Sequence, residues 1–187
     1  RKRNTEIQRR IVTTNRAYFS LSHIFKSKDI TIKNKLRIYK TLIRPILGYG
    51  SETWTITKTV GEQLKRVERK ILRRVFGPVY ENGEWRILHN EEVYKLYQDD
   101  DILTFIELGK LRWAGHVSRM DDSRFPKKAM EARLAGKRPV GRPRKRYEAT
   151  INETANRLLG VTDWKEVAIN RQIWRNRIAQ AKGRTGP

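Results

Sequence analysis

The chain has 187 residues, 42 of them lysine or arginine against 20 acidic, so its formal net charge is +22 and its isoelectric point lies near 10.7. An excess of that size repels itself in a compact state and calls for a polyanion; nucleic acid fits better than a membrane surface, because the basic residues run along the whole chain instead of flanking one apolar anchor. The absence of cysteine excludes disulfides and cysteine-ligated zinc and points to a reducing compartment, and no apolar run approaches the roughly 18 residues that span a bilayer.

Five Trp, seven Tyr and five Phe promise a folded core although only 37% of residues are hydrophobic. The chain opens on Arg1 rather than Met, and Thr5-Glu6-Ile7-Gln8 places a capping-box pattern a few residues in. It reads as a piece of a longer polypeptide. Ile7, Ile11, Thr14, Tyr18, Leu21 and Phe25 recur at helical spacing. After a break at Lys28-Asp29-Ile30 and a cap at Thr31, Ile32, Leu36, Tyr39, Ile43 and Ile46 repeat the pattern, with Pro45 bending or ending it. Past Gly48-Tyr49-Gly50-Ser51 a third stripe (Val60, Leu64, Val67, Ile71, Val75) runs to Gly77-Pro78. Stripes this narrow are stable only when packed on one another, which predicts a three-helix bundle over residues 1–78.

A mixed segment is expected over 79–126. A turn at Glu81-Asn82-Gly83 suggests a short hairpin into Trp85-Arg86-Ile87-Leu88, Asn90 is placed to cap a short helix, and a longer helix with Ile102, Phe105, Ile106 and Trp113 is expected to start at Asp99-Asp100-Asp101. Residues 127–146 form a basic linker or arm, with Gly136, Pro139, Gly141 and Pro143 opposing helix in its second half. Over 147–187 a small helical unit is predicted: Ile151, Ala155 and Leu158 up to Gly160, then one helix capped by Asp163 and presenting Trp164, Val167, Trp174 and Ile178. The expected fold is mainly α.

The order of several segments resembles one family. Lys40 to Trp54 (KTLIRPILGYGSETW), Arg69 to Pro78 (RKILRRVFGP), Leu111 to Val117 (LRWAGHV) with Arg119-Met120, Val140 to Arg144 (VGRPR) and Asp163 to Glu166 (DWKE) are similar, in that sequence, to the region after the polymerase palm of non-LTR retrotransposon endonuclease-reverse transcriptases of the RTE and Jockey kind. The resemblance implies a thumb over about residues 4 to 76, followed by a C-terminal extension binding RNA and target DNA. It also implies a palm with catalytic carboxylates upstream on the same polypeptide, and a nuclear place of action. The cysteine-histidine zinc knuckle of many relatives is missing.

Two basic surfaces are the candidate contacts. On the third helix Lys65, Arg66, Arg69, Lys70, Arg73 and Arg74 lie off the apolar stripe, with Glu62 and Glu68 as partial counter-charges. The reading as phosphate contacts competes with that of a solvated face. In the arm, Lys137, Arg138, Gly141, Arg142, Pro143, Arg144, Lys145 and Arg146 resemble an AT-hook core, except that Val140 stands where an arginine usually precedes the glycine. Minor-groove insertion, generic phosphate binding and a nuclear-import signal all suit it. Among the tryptophans, packing is the default, and Arg112-Trp113 is the pair to test for base stacking. Tyr97-Gln98-Asp99-Asp100 has the composition of a polymerase metal turn, but its neighbours are helix-like, so a helix start is expected. His116 lacks a partner at metal-ligand spacing, which favours a packed or hydrogen-bonded structural role. No catalytic residue, metal, cofactor or small-molecule substrate is therefore expected. Two partners are: RNA and DNA. The alternative is a stand-alone architectural DNA-binding protein acting through the arm.

Overall fold

The computed structural model describes residues 2–132 and 146–182. It is mainly α-helical, as the periodicities predict. The chain divides into two compact units: one comprises the residues through Gly50 with Ile56–Ile106, the other Ser51–Thr55 with the described residues from Glu107 on.

In the first unit, α1 (Lys2–Ser20), α2 (Ser22–Lys26), α3 (Ile32–Ile38), α4 (Arg44–Leu47) and α5 (Lys58–Phe76) assemble, with α1 against α2, α4 and α5. Thr57 caps α5 by accepting the Val60 N–H, and Gly77 ends it at φ 81. The expected stripe Val60, Leu64, Val67, Ile71 and Val75 is buried throughout. Each large apolar side chain so buried stabilises the fold by roughly 1.5–3 kcal/mol against exposure.

The second stripe is shifted. Between α3 and α4 the turn Tyr39–Ile43 is π-helical, with the Arg44 N–H donating to the Tyr39 carbonyl five residues back. Pro45 has no N–H and its ring would strike the carbonyl of Thr41, so a wider turn just before it relieves the conflict. The extra residue turns the following helix by one position. Leu47, not Ile46, is therefore fully buried. Ahead of it Lys35 is buried where Leu36 was expected, its ammonium held by the Ser27 carbonyl at 2.6 Å.

After α5, β1 (Val79–Glu81) and β2 (Glu84–Arg86) form the hairpin, pairing Val79 with Arg86, Tyr80 with Trp85 and Glu81 with Glu84. Asn82 (φ 51) and Gly83 (φ 87) form its two-residue turn, the conformation whose twist suits paired strands. Next comes α6 (Asn90–Tyr97). His89, not Asn90, is its cap residue: Glu92 reaches back to accept the His89 N–H at 2.6 Å, while the Asn90 side chain accepts from Arg73.

The helix α7 (Ile102–Ser118) does start after the aspartates, its first turns through Ile106 counting with the first unit. In the second unit α8 (Phe125–Glu131), α9 (Tyr147–Leu159), α10 (Trp164–Ile169) and α11 (Arg171–Ala181) follow. Ile151, Ala155 and Leu158 pack with Leu108, Leu111, Ala114, Trp164, Trp174 and Ile178 in one core. Gly160 ends α9 in the left-handed conformation. The single last helix expected from Asp163 is two, because the side-chain oxygen of Asn170 accepts the N–H groups of Gln172 and Ile173 and restarts the chain.

Candidate nucleic-acid interface

The six candidate basic residues of α5 separate into two groups. Lys65 is paired with Asp101 at 2.7 Å. Arg69 is mostly covered and lies 3.6 Å from Glu62. Arg73 donates to the Leu88 carbonyl at 2.8 Å and to Asn90 at 2.7 Å, tying the end of the hairpin to the helix. These three have partners within the first unit. Arg66, Lys70 and Arg74 are exposed, and among the described residues no carboxylate pairs with them. Spaced by four, they form a line with a rise of about 6 Å per step.

The neighbouring helix extends that line. Gln8 bonds Gln63 at 2.9 Å and Lys70 bonds Asn15 at 3.3 Å. The equal offsets mean that α1 and α5 run parallel side by side. Lys70 thereby lies 4.9 Å from the ring centre of Phe19 and 5.6 Å from that of Tyr18, and Phe19 is 60% exposed. Arg9 and Arg16 are exposed on α1 as well. The result is a cationic strip with one open aromatic face, suited to phosphates and to a sugar or base edge beside them. Apolar periodicity does not single out Phe19. The signal that could have found it is an aromatic off the stripe of a basic helix.

Glu68 corrects an expectation. It is not a surface counter-charge but is fully buried, since position 68 follows Leu64 by four and precedes Ile71 by three. Its carboxylate accepts from the Tyr39 hydroxyl (2.8 Å), the Tyr94 hydroxyl (3.2 Å) and the Ile102 N–H (2.9 Å). Burial pushes its pKa up from 4.5 to about 7 against those three bonds. The same burial, with the Glu68 charge nearby, raises both phenols.

The aspartate run sits in a link between helices rather than at a strand tip. Gln98 is left-handed, Asp99 pairs with Lys40 at 2.5 Å, Asp100 is buried, and Asp101 accepts the Thr104 N–H at 2.8 Å. Burial opposes ionisation of Asp99 and Asp101, but hydrogen bonds from Lys40 and Lys65 outweigh it and hold both below the usual carboxylate range. Both carboxylates thus steady a helix start or a cation. Among the described residues no group of three or more His, Asp or Glu is placed to hold a metal ion.

In the second unit Arg112 is exposed and Trp113 is 36% exposed, its ring 5.8 Å from that of His116. His116 is thus a surface residue rather than a packed one. Trp54, Trp164 and Trp174 are buried, whereas Trp85 is 69% exposed. Arg146 is exposed just ahead of α9. The rest of the arm, Lys137, Arg138, Gly141, Arg142, Pro143, Arg144 and Lys145, lies outside the described residues. No helix among the described residues is long and apolar enough to cross a membrane.

The chain is similar to a transposon-derived protein. That relative, from Caenorhabditis elegans and itself described as uncharacterized, is 32% identical over 149 residues, which is 76% of this chain and 53% of the relative. The chain thus spans about half the length of the curated relative it matches. No family model matches it, and no solved structure does.

Proposed function

We propose that this chain is the non-catalytic, nucleic-acid-gripping portion of a non-LTR retrotransposon reverse transcriptase of the RTE or Jockey kind. Its first unit acts as a thumb-like clamp on RNA or template-primer duplex, and its C-terminal part contacts RNA or target DNA in the nucleus. The polymerase palm lies upstream on the same polypeptide. The observation that carries this reading is the line Arg66, Lys70 and Arg74, three exposed cations on a rigid helix with no carboxylate partner among the described residues. A basic helix that only solvated itself would pair its charges at spacings of three and four, or at the seven that brings Glu62 beside Arg69 two turns on. Likeness to a transposon-derived protein and the net charge of +22 support the same reading. Phosphate contacts of this kind position a duplex without reading its sequence, so no sequence specificity is assigned.

The test is the salt dependence of binding to an RNA–DNA duplex. Replacing Arg66, Lys70 and Arg74 together with Ala should reduce the slope of log affinity against log salt by about 2–3, near 0.9 for each phosphate no longer neutralised. Because all three are exposed, the variant should fold as the parent does. An unchanged affinity and slope would remove α5 as the contact surface. A loss confined to A·T-rich DNA duplex on Arg142→Ala would instead favour the arm.

A further inference from the structure

The hairpin carries an aromatic face that the fold leaves open. Its register sets Tyr80 directly across from Trp85, and alternation puts Glu81, Glu84 and Arg86 on the opposite face. The two rings are 5.1 Å apart and tilted by 57°. Even so, Tyr80 is 61%, Trp85 69% and Ile87, two residues on, 72% exposed.

The hairpin is fixed from its other side. Arg86 donates to Glu81 and to both carboxylate oxygens of Glu92, at 2.6 and 2.8 Å for the latter two. The bond from Arg86, then that from the His89 N–H, hold Glu92 down at about 2. Arg73 anchors the chain just beyond β2 through the Leu88 carbonyl. Strands of three residues are marginal alone, so these ties make the hairpin a firm mount for the open rings.

We propose that Tyr80 and Trp85 are a stacking platform for unpaired bases of a single-stranded nucleic acid, an inference resting on the nucleic-acid reading above. Charge selects this occupant. The first fifty residues hold thirteen basic against two acidic residues. Exposed Arg74 lies in the last turn of α5, three residues before Gly77-Pro78 leads into β1. The carboxylates of the hairpin sit on the face away from the rings, so a phosphate backbone is repelled there and admitted on the aromatic side. Rings tilted by this much do not share one base; each takes one of two successive, splayed bases. A base-paired strand keeps its faces stacked and offers neither.

The experiment uses the full chain and three probes: a blunt RNA–DNA duplex, the same duplex with a single-stranded extension of about ten nucleotides, and that extension made abasic. Tyr80→Ala/Trp85→Ala should weaken binding to the normal extension by at least about fivefold per ring, leave the blunt and abasic probes unchanged, and be rescued by Tyr80→Phe/Trp85→Phe. Equal affinity of variant and parent for the normal extension overturns the proposal, as does equal loss on the abasic one. A change in oligomeric state alone overturns it too, assigning the face to a second copy of the chain. Failure of the parent reading is seen separately, as blunt-duplex binding that ignores the Arg66, Lys70 and Arg74 substitutions.

Discussion

Glu68 joins three parts of the first unit: Tyr39 of the π-helical turn, Tyr94 of α6 and the first N–H of α7 all donate to it. Its folded pKa of about 7, raised from 4.5, makes stability depend on pH in a defined sense. The folded state binds the proton more tightly, so this contribution is fully present below pH 4.5 and is lost as pH rises through 7. The loss amounts to about 3 kcal/mol, from 1.36 kcal/mol per pKa unit. Glu68→Gln keeps an acceptor for Ile102 and carries no charge. In urea titrations it should match the parent near pH 5 and exceed it above pH 7. Parallel pH profiles for the two proteins would refute the assignment. Residue 68 also shows how context decides chemistry, since its neighbours on the helix find partners instead, Arg69 beside Glu62 and Lys65 on Asp101.

At the scale of elements, the packing of α7 on α11 depends on one missing methyl group. A Cβ on Gly115 would lie 2.1 Å from Trp174 Nε1, the atom that donates to the Leu111 carbonyl at 3.1 Å. By helix propensity alone Gly115→Ala should stabilise by about 1 kcal/mol. Packing reverses the sign: the tryptophan must leave its site, and overfilling a core costs about 1–3 kcal/mol or more. Thermal unfolding should show a lowered midpoint and a shifted tryptophan emission; a raised midpoint would mean that the second unit tolerates a wider separation there. Two departures from the simple helical spacing have local causes. The π-helical turn before Pro45 and the restart at Asn170 both follow from how individual N–H groups find acceptors, and a count of apolar spacings does not register that.

For the whole molecule, charge is the dominant quantity. Both units carry an excess of basic residues, so self-repulsion is spread across the chain rather than confined to a tail. Added salt should raise the melting temperature of the free chain. An RNA–DNA duplex at about a hundred times its dissociation constant should add roughly 2.7 kcal/mol, by preferential binding to the folded state. The Arg66, Lys70 and Arg74 variant should gain from salt less than the parent does and should lose most of the duplex effect. A melting temperature indifferent to both additions would argue against a polyanionic partner.

By itself the sequence determined the helical class, the apolar stripe of α5 from Val60 to Val75, the turn at Asn82-Gly83 and the helix start after the aspartates. These features follow from local periodicity and from residues whose backbone preferences act within a few positions. Tertiary structure alone decided the rest. It absorbed Lys65, Arg69 and Arg73 into the fold while leaving Arg66, Lys70 and Arg74 open, buried Glu68, and kept Tyr80, Trp85 and Phe19 at the surface. Basic residues on one helix face are equivalent in sequence. They become distinct only when Asp101, Glu62 and Leu88, remote or two turns away, arrive beside some of them and not others.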